Sequence, residues 1–207
     1  MMTGIDDTSA DQLSLLVDTH LVPLFFQLLG HGFRVDVQTG SSVKEILCNQ
    51  LGIDEDYLAQ RIKTIFLNAK VVDDVNSAIV EKDATMALSG AMPGLVGAIM
   101  RSGGFYAPMR RQISHGQNLP ASDRQSGQIT LKLWNLVVKE LGPTFLERGI
   151  WIQGTEMRSF IERHWDALKT GCNAVELDGK QASIEQLQDF TRDADLVFLQ
   201  VIPSEVS

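Results

Sequence analysis

Cysteine is scarce in this chain of 207 residues, where only Cys48 and Cys172 are present. Two distant cysteines do not make the framework of a disulfide-stabilised secreted domain, so we expect a reducing compartment. The sequence also lacks an apolar run of the ~18 residues that a membrane-spanning helix needs. Its start, MMTGIDDTSADQ, is acidic where a secretory signal is basic. We therefore expect a cytoplasmic protein with no membrane association.

Basic side chains are also in deficit, with 18 Lys and Arg against 26 Asp and Glu, giving a net charge of −8. Binding to double-stranded nucleic acid depends on neutralising phosphates, so we expect no nucleic-acid partner. The deficit is uneven, because residues 95–128 hold four arginines and one aspartate. Hydrophobic residues make up 44% of the chain, which is enough to build a core and excludes wholesale disorder.

The residues that catalysis and metal binding need are few and dispersed. The four histidines, His20, His31, His115 and His164, show no metal-ligand spacing with the two cysteines. No motif combines a nucleophile, a base and an oxyanion site, and no phosphate-binding loop of known spacing is present. We therefore predict no metal and no cofactor, and we favour a binding protein over an enzyme.

The first half of the chain has the pattern of a small sheet with one helix. Residues 33–37 alternate apolar and polar side chains, which predicts a half-buried strand. Ser42 and Glu45 form a capping-box pattern that starts a helix, and Gly52 ends it. Further patterns predict a short helical turn at 54–61 and strands at 64–67, 70–72 and 85–88. Residues 13–29 are compatible with either a helix or a strand.

The second half has a similar order of elements. We predict a loop over 117–128 and a helix over 129–141 that Gly142-Pro143 ends. A strand at 150–152, a helix capped by Thr155, and a strand at 174–177 with an Asp178-Gly179 turn follow. The closing strand covers residues 196–202. The spacing of Trp134, Trp151 and Trp165 is typical of core aromatic residues.

Turn residues of the first half recur 110 positions later. Four positions match in this way, with Lys70, Asp83, Ala84 and Pro93 recurring as Lys180, Asp193, Ala194 and Pro203. One interpretation is an internal duplication; the other is that two unrelated segments share common turn chemistry.

Three segments carry a resemblance to a known family, namely LFFQLLGHGFRVDVQTGSSVKEIL, TIFLNAKVV and VEKDATMALSGAMPG. Together, residues 21–94 resemble the β-grasp (ubiquitin-like) sulfur-carrier proteins of molybdopterin and thiamine biosynthesis. The resemblance implies a strand at 24–29 and a mixed sheet packed on a helix. Those carriers are activated at a C-terminal Gly-Gly, but Met92-Pro93-Gly94 stands at the aligned position inside this chain. The resemblance therefore implies the fold without the carrier chemistry.

The sequence thus predicts an α+β protein with tandem β-grasp-like domains, each with a mixed sheet packed on a helix. The predicted boundaries are an N-terminal segment (1–20), a first domain (21–94), a Gly- and Arg-containing connector (95–128) and a second, diverged domain (129–207). Residues 33–37 and 64–67 are expected to pair in one sheet.

The glycine- and arginine-bearing segment at 89–111 is the predicted functional stretch. Backbone amides of glycines and arginine side chains can bind a small anion. The candidate residues are Gly94, Gly97, Arg101, Gly103, Gly104, Arg110, Arg111 and His115. The alternative is close packing of small residues against a domain or a second subunit. We expect a non-catalytic binding or assembly module with a protein partner or a second copy of itself. The second hypothesis is a diverged sulfur-transfer or cofactor-biosynthesis protein, or an enzyme, that binds an anionic ligand there.

Overall fold

The computed structural model describes residues 11–90, 124–190 and 195–204. The strands, numbered in chain order, are β1 (Asp11–Asp18), β2 (Phe33–Thr39), β3 (Ser41–Ser42), β4 (Thr64–Leu67), β5 (Lys70–Val71), β6 (Ile79–Val80), β7 (Thr85–Ser89), β8 (Gln125–Trp134), β9 (Ile150–Gln153), β10 (Cys172–Leu177), β11 (Lys180–Ala182) and β12 (Leu196–Ser204). The α-helices are α1 (Phe26–His31), α2 (Glu55–Gln60), α3 (Leu136–Arg148), α4 (Gly154–Gly171) and α5 (Leu187–Phe190). Two 3₁₀ helices (Thr19–Phe25 and Ile184–Gln186) and a π-helix (Glu45–Gln50) complete the set. The predicted α+β class is confirmed.

The chain forms two compact units. The first unit combines Met1–Leu28 with Thr144–Ser207, and the second unit is Leu29–Pro143. The predicted domain boundaries at residues 94 and 128 do not coincide with this division. The reason is long-range pairing, because β1 lies among strands from the C-terminal half and β8 lies among strands from the N-terminal half. Local hydrophobic patterns do not encode such partners.

The second unit contains a mixed sheet in the order β2-β8-β7-β4-β5. The β7 and β8 strands are parallel, and every other neighbouring pair is antiparallel. The predicted pairing of residues 33–37 with 64–67 is therefore wrong, since β8 and β7 lie between them. The core side of β8 carries Ile129, Leu131 and Leu133, all buried. A short second ladder joins β3 to β6, at residues where the sequence predicted no strand.

The first unit contains a mixed sheet in the order β11-β10-β1-β12-β9. Its parallel pair is β1 and β12, aligned from Asp11 opposite Val197 to Asp18 opposite Ser204. Leu13, Leu15 and Val17 alternate along β1 and are buried. The α4 helix buries Met157, Phe160, Ile161 and Leu168, and the Phe160 ring lies 4.8 Å from the ring of Phe25.

Residues 24–29 are helical, so the strand implied by the family resemblance is wrong. The helical spacing of the buried side chains explains this result, because Leu21, Val22, Phe25, Leu28 and Leu29 recur at intervals of three or four. The first strand is β1 instead, in a segment whose alternation of Leu13, Leu15 and Val17 is the period-2 signal. The β1 strand begins at Asp11, inside the acidic sequence MMTGIDDTSADQ.

The helix predicted over 129–141 is also wrong in its first part. Residues up to Trp134 form β8, because Ile129, Leu131 and Leu133 alternate and face the core. Asn135 then adopts a positive φ of 58°, and α3 begins at Leu136. Pro143 lies inside α3 and does not end it. The apolar face of α3 continues beyond the proline with Phe145 and Leu146, whose burial offsets the lost backbone bond.

The hairpin turns form where the sequence predicted them. Asn68 and Ala69 join β4 to β5 with φ values of 49° and 63°, and Asp178 and Gly179 join β10 to β11 with 50° and 72°. Both pairs have the positive φ values that a two-residue turn of type I′ requires. The predicted start of the central helix is confirmed as well, since the Ser42 hydroxyl accepts the Glu45 backbone N–H at 3.2 Å.

Candidate functional site

The predicted anion site lies outside the described residues. This holds for all eight candidates: Gly94, Gly97, Arg101, Gly103, Gly104, Arg110, Arg111 and His115. At the start of the same stretch, Ser89 is described and buried, and its hydroxyl accepts a bond from the Asn135 side chain at 2.8 Å. The anion site stays a prediction from sequence.

One surface of the second unit carries an exposed tryptophan beside a half-buried phenylalanine, on the side of the sheet away from the core. We call it the aromatic face, formed by Phe66, Ala69, Thr85, Ala87, Lys132 and Trp134. The register explains the grouping, because Phe66 pairs with Ala87, and Ala87 pairs with Lys132. These three side chains therefore form one row across three strands.

Trp134 is the most prominent member of the aromatic face. The residue is 36% exposed, and the centroid of its ring lies 6.1 Å from that of Phe66. The indole N–H donates to the Gly30 carbonyl oxygen at 3.1 Å, which fixes the ring orientation. The expectation that Trp134 is a core residue is therefore wrong. The strand assignment accounts for this, since Trp134 follows Lys132 on the outer side of β8 while Leu133 faces inward.

The aromatic face encloses a hollow of about 320 Å³. Lys132 supplies the only formal charge among its described lining residues, and its stem lies beside Gly32, where an added Cβ would come within 3.2 Å of the lysine Cε. The Asn68 side chain accepts the Thr85 backbone N–H at 2.9 Å and so ties the β4–β5 turn to β7. The hollow is thus apolar, positively charged at one point, and built on paired strands.

A second cavity, which we call the amphipathic cavity, has a volume of about 300 Å³. Its floor is apolar and includes the buried side chains of Leu58, Ile62 and Ile65. The remaining lining residues are Lys44, Glu55, Ala59, Asp73, Val75 and Asn76. Since Ile65 and Phe66 are consecutive in β4, their side chains point to opposite sides of the sheet. The amphipathic cavity and the aromatic face therefore lie on opposite sides of β4.

Short-range bonds hold the walls of the amphipathic cavity. The Asp54 carboxylate caps α2 by accepting the Tyr57 backbone N–H at 2.9 Å. In the loop after β5, the Asp74 carboxylate accepts the Asn76 backbone N–H at 2.9 Å. The bonds from Asn76 and then Ser77 lower the pKa of Asp74 below its usual value. The walls are thus formed before any ligand arrives.

The π-helix begins directly after Lys44, which lines this cavity. The Leu51 backbone N–H donates to the Ile46 carbonyl at 2.9 Å, a bond that spans five residues. This wide turn is rare in proteins and occurs often beside functional sites. Lys44 precedes it, and its backbone N–H donates to Val75 at 2.9 Å, which attaches the π-helix to the loop after β5.

Charges of both signs surround the cavity mouth. The Lys44 ammonium lies 2.7 Å from the Glu55 carboxylate, and this hydrogen bond raises the pKa of Lys44. Burial, followed by the charge of Glu55, raises the pKa of the nearby Cys48 thiol. Burial likewise raises the pKa of Cys172. Both shifts favour the protonated thiol, which is the less nucleophilic form.

A polar cluster attaches α2 to α3. The Tyr57 hydroxyl donates to Glu140 at 2.7 Å, and the Arg61 guanidinium binds the same carboxylate through two of its nitrogens. The bonds from Arg61 and then Tyr57 lower the pKa of Glu140. Burial, followed by the bond to Glu140, raises the pKa of Tyr57. Both pKa values therefore lie further from pH 7 than the ordinary values of these groups. This suits the cluster to holding α2 in place more than to transferring protons.

His164 in the first unit has a structural environment. Its ring nitrogen lies 2.6 Å from the Gln27 side-chain amide, and its ring packs 4.9 Å from Phe160. The described residues contain no group of three His, Cys, Asp or Glu side chains that could hold a metal ion. The described helices also include none with the length and apolar character to cross a membrane.

The aromatic face and the amphipathic cavity were both missed by the sequence reasoning, although Lys44 and Phe66 lie in elements that were predicted correctly. Predicting β8 as a strand would have indicated the aromatic face, because Lys132 and Trp134 then lie on the same side of the sheet. Comparison of the chain with family models, curated proteins and solved structures returned no match.

Proposed function

We propose that this protein is a non-catalytic binding module whose aromatic face contacts a protein partner. The observation that carries the proposal is Trp134, a large aromatic side chain exposed beside Phe66 on the outer side of a sheet. Tryptophan is enriched among the side chains that dominate protein–protein binding energies. Contiguous exposed apolar patches on soluble proteins often mark protein–protein interaction sites.

The fold proposed for each unit is of the β-grasp type, in two diverged copies. The strand order of the second unit supports it, with a central parallel pair flanked by antiparallel strands. The first unit supports it through the parallel pair of β1 and β12 and the hairpin of β10 and β11. The matched hairpin turns at Asn68-Ala69 and Asp178-Gly179 favour duplication over chance.

The chemistry of the aromatic face defines the partner. The hollow accepts an apolar side chain against Phe66 and Trp134, and Lys132 attracts a carboxylate beside it. A partner surface that presents an apolar residue next to an acidic one matches both features. In the Tyr57–Glu140 pair, the pKa of the tyrosine is raised and the pKa of the glutamate is lowered, so both move further from pH 7, which favours binding over acid–base catalysis at this pair.

Site-specific photo-crosslinking tests this proposal. A photoreactive amino acid replaces Thr85, which lines the hollow, and irradiation is carried out in the cells that make the protein. We expect a discrete crosslinked species that disappears when Trp134→Ser is combined with the probe. A species with the mass of two chains identifies the partner as a second copy.

The matched control is Leu136→Ser, which removes a large apolar side chain that is 51% exposed but does not line the hollow. This variant should leave the crosslink unchanged. A second control places the photoreactive residue at Gln181, on the exposed β11 strand of the first unit. A crosslink that survives Trp134→Ser, or no crosslink at Thr85, would overturn the proposal.

A further inference from the structure

The outer side of the second unit's sheet carries two positive charges next to the aromatic face. Arg34 on β2 pairs with Thr130 on β8, and Lys132 lies two positions further along β8. All three residues are partly exposed, whereas Leu131, between the two on β8, is fully buried. Their side chains therefore lie on the same side of the sheet as Trp134. We call Arg34, Thr130 and Lys132 the basic strip.

The two cations of the basic strip have no counter-charge within the part of the chain that the structure describes. The ion pairs there belong to other basic residues. Asp36, the only acid in β2, accepts a hydrogen bond from the Gln128 side chain at 2.9 Å. Diagonal neighbours on one face of a sheet are on the order of 7 Å apart, so Arg34 and Lys132 repel each other. A partner group of negative charge relieves this repulsion.

The side chains of the basic strip lean towards β2. A Cβ added at Gly32, directly before β2, would lie 3.0 Å from the Thr130 Cγ2 and 3.2 Å from the Lys132 Cε. The Lys132 stem therefore extends over the backbone that leads to Arg34, and its ammonium group lies on the side of β8 away from Phe66. The apolar part of the surface and its charged part are thus adjacent but distinct.

The spacing along β8 defines how a partner segment fits this surface. Same-side residues of a strand recur at about 7 Å, so Trp134, Lys132 and Thr130 occupy three successive steps, with Arg34 opposite the third. Alternate side chains of an extended segment have the same interval. With an apolar residue in the hollow of the aromatic face, the side chains two and four positions away meet Lys132 and Arg34.

We propose that the aromatic face and the basic strip together bind an extended acidic segment of a protein partner. In this segment an apolar residue occupies the hollow, and acidic residues two and four positions away bind Lys132 and Arg34. The inference rests on the function proposed above and adds to it the class of partner and a second contact residue, Arg34.

A single-stranded nucleic acid is the competing occupant, because aromatic side chains next to cations also stack bases. The charge of the molecule favours the acidic segment. The chain has a net charge of −8, which repels a long polyanion, and Asp36 follows Arg34 on the same side of β2. Two cations match two carboxylates.

Three peptides separate the contributions of charge and spacing. The patterned peptide is acetyl-Phe-Ser-Glu-Ser-Glu-amide, and the neutral peptide has glutamine in place of both glutamates. The rearranged peptide, acetyl-Ser-Glu-Phe-Glu-Ser-amide, has the same composition and charge, but its acidic residues adjoin the apolar one. Each is titrated into the full-length protein while the indole N–H resonance of Trp134 is followed by NMR. We expect the patterned peptide to bind most tightly, and salt to weaken it but not the neutral peptide.

Two variants test the assignment of Arg34. Arg34→Gln should weaken binding of the patterned peptide by about twofold to fivefold, the size expected for one partly exposed charge contact, and leave the neutral peptide unchanged. Lys139→Gln is the matched control, because Lys139 is an exposed cation on α3, outside the basic strip and the hollow. It should bind all three peptides as the wild type does.

Other outcomes overturn the inference. If the rearranged peptide binds as tightly as the patterned one, or if Arg34→Gln has no effect, the basic strip does not bind the segment. If a short oligothymidylate binds more tightly than the patterned peptide, the occupant is a nucleic acid.

The photo-crosslink at Thr85 distinguishes this failure from failure of the proposed function. A crosslink that Trp134→Ser abolishes and Arg34→Gln leaves intact supports the aromatic face as a partner site and rejects the acidic segment. A crosslink that neither variant changes rejects both.

Discussion

At the scale of single residues, the bonds of Glu140 show how one carboxylate fixes a short helix. Arg61 and Tyr57 both lie in or next to α2, which has only six residues. A helix of this length is unstable by itself, so it depends on contacts with the rest of its unit. Glu140 supplies such contacts from α3.

These contacts predict a pH dependence of stability. The pKa of Glu140 is lower in the folded protein than its ordinary value of 4.5. Its contribution to stability is therefore present above pH 4.5 and is lost as the pH falls through the lowered folded value. Glu140→Gln should reduce the free energy of unfolding at pH 7, and its difference from wild type should narrow towards pH 3.

Urea unfolding at several pH values measures this difference. Glu147→Gln serves as the control, because Glu147 is an exposed carboxylate of the same helix. It should match wild type throughout. A Glu140→Gln deficit that is constant between pH 7 and pH 3 would show that the carboxylate charge does not stabilise α2.

At the scale of elements, the two hairpin turns use the same backbone geometry with different residues. Ala69 adopts a φ of 63°, and Gly179 adopts 72° at the equivalent position. A positive φ is strained for alanine and free for glycine. A Cβ at Gly179 would meet no atom within 4 Å, so the difference between these turns is one of backbone strain.

Exchanging these residues should change stability in opposite directions. Ala69→Gly should raise the free energy of unfolding by roughly 0.5–1 kcal/mol, and Gly179→Ala should lower it by a similar amount. Chemical denaturation of the two single variants measures both effects. If Ala69→Gly lowers the free energy of unfolding instead, the packing of the Ala69 methyl group in the aromatic face stabilises the protein by more than its strained backbone destabilises it.

The sequence predicted such elements well wherever their signal is local. The alternation at Phe33 and Val35, the Ser42 cap and the Asp178-Gly179 turn each depend on neighbours within a few residues. Residues 24–29 were left open between a helix and a strand, because a short apolar run fits both, and the family resemblance then implied the strand. Residues 129–134 were assigned to a helix although Ile129, Leu131 and Leu133 alternate. Their tertiary partners decide between the two.

The candidate sites were harder to predict than the elements. Trp134 and Phe66 are 68 positions apart and meet only because β7 lies between their strands. Lys44 and Asp73 line one cavity because a loop returns to the π-helix. Neither arrangement has a motif of fixed spacing, so no local pattern could indicate it.

At the scale of the whole molecule, the central strands β1 and β8 each pair with strands from the other half of the chain. Leu15 on β1 and Leu131 on β8 are both fully buried. Truncating a buried leucine to alanine removes about 2–5 kcal/mol of stability. The strands that lose stability should be those that pair with the substituted strand, and not those that are close to it in the sequence.

Hydrogen exchange followed by mass spectrometry tests this expectation with two variants. Leu15→Ala should raise exchange in β9, β10 and β12, more than 130 residues away, because β1 belongs to their sheet. Leu131→Ala should raise exchange in β2, β4 and β7. The two variants control for each other. The opposite pattern, with Leu15→Ala loosening β2 and β4 alone, would contradict the assigned pairing.

The parallel pairing of β1 with β12 has a consequence for synthesis on the ribosome. About 180 residues must be translated after β1 before its parallel partner exists. At typical elongation rates this takes roughly 10–40 s. During that interval Leu13, Leu15 and Val17 have no sheet to enter, so the nascent chain carries an apolar segment that suits capture by a chaperone.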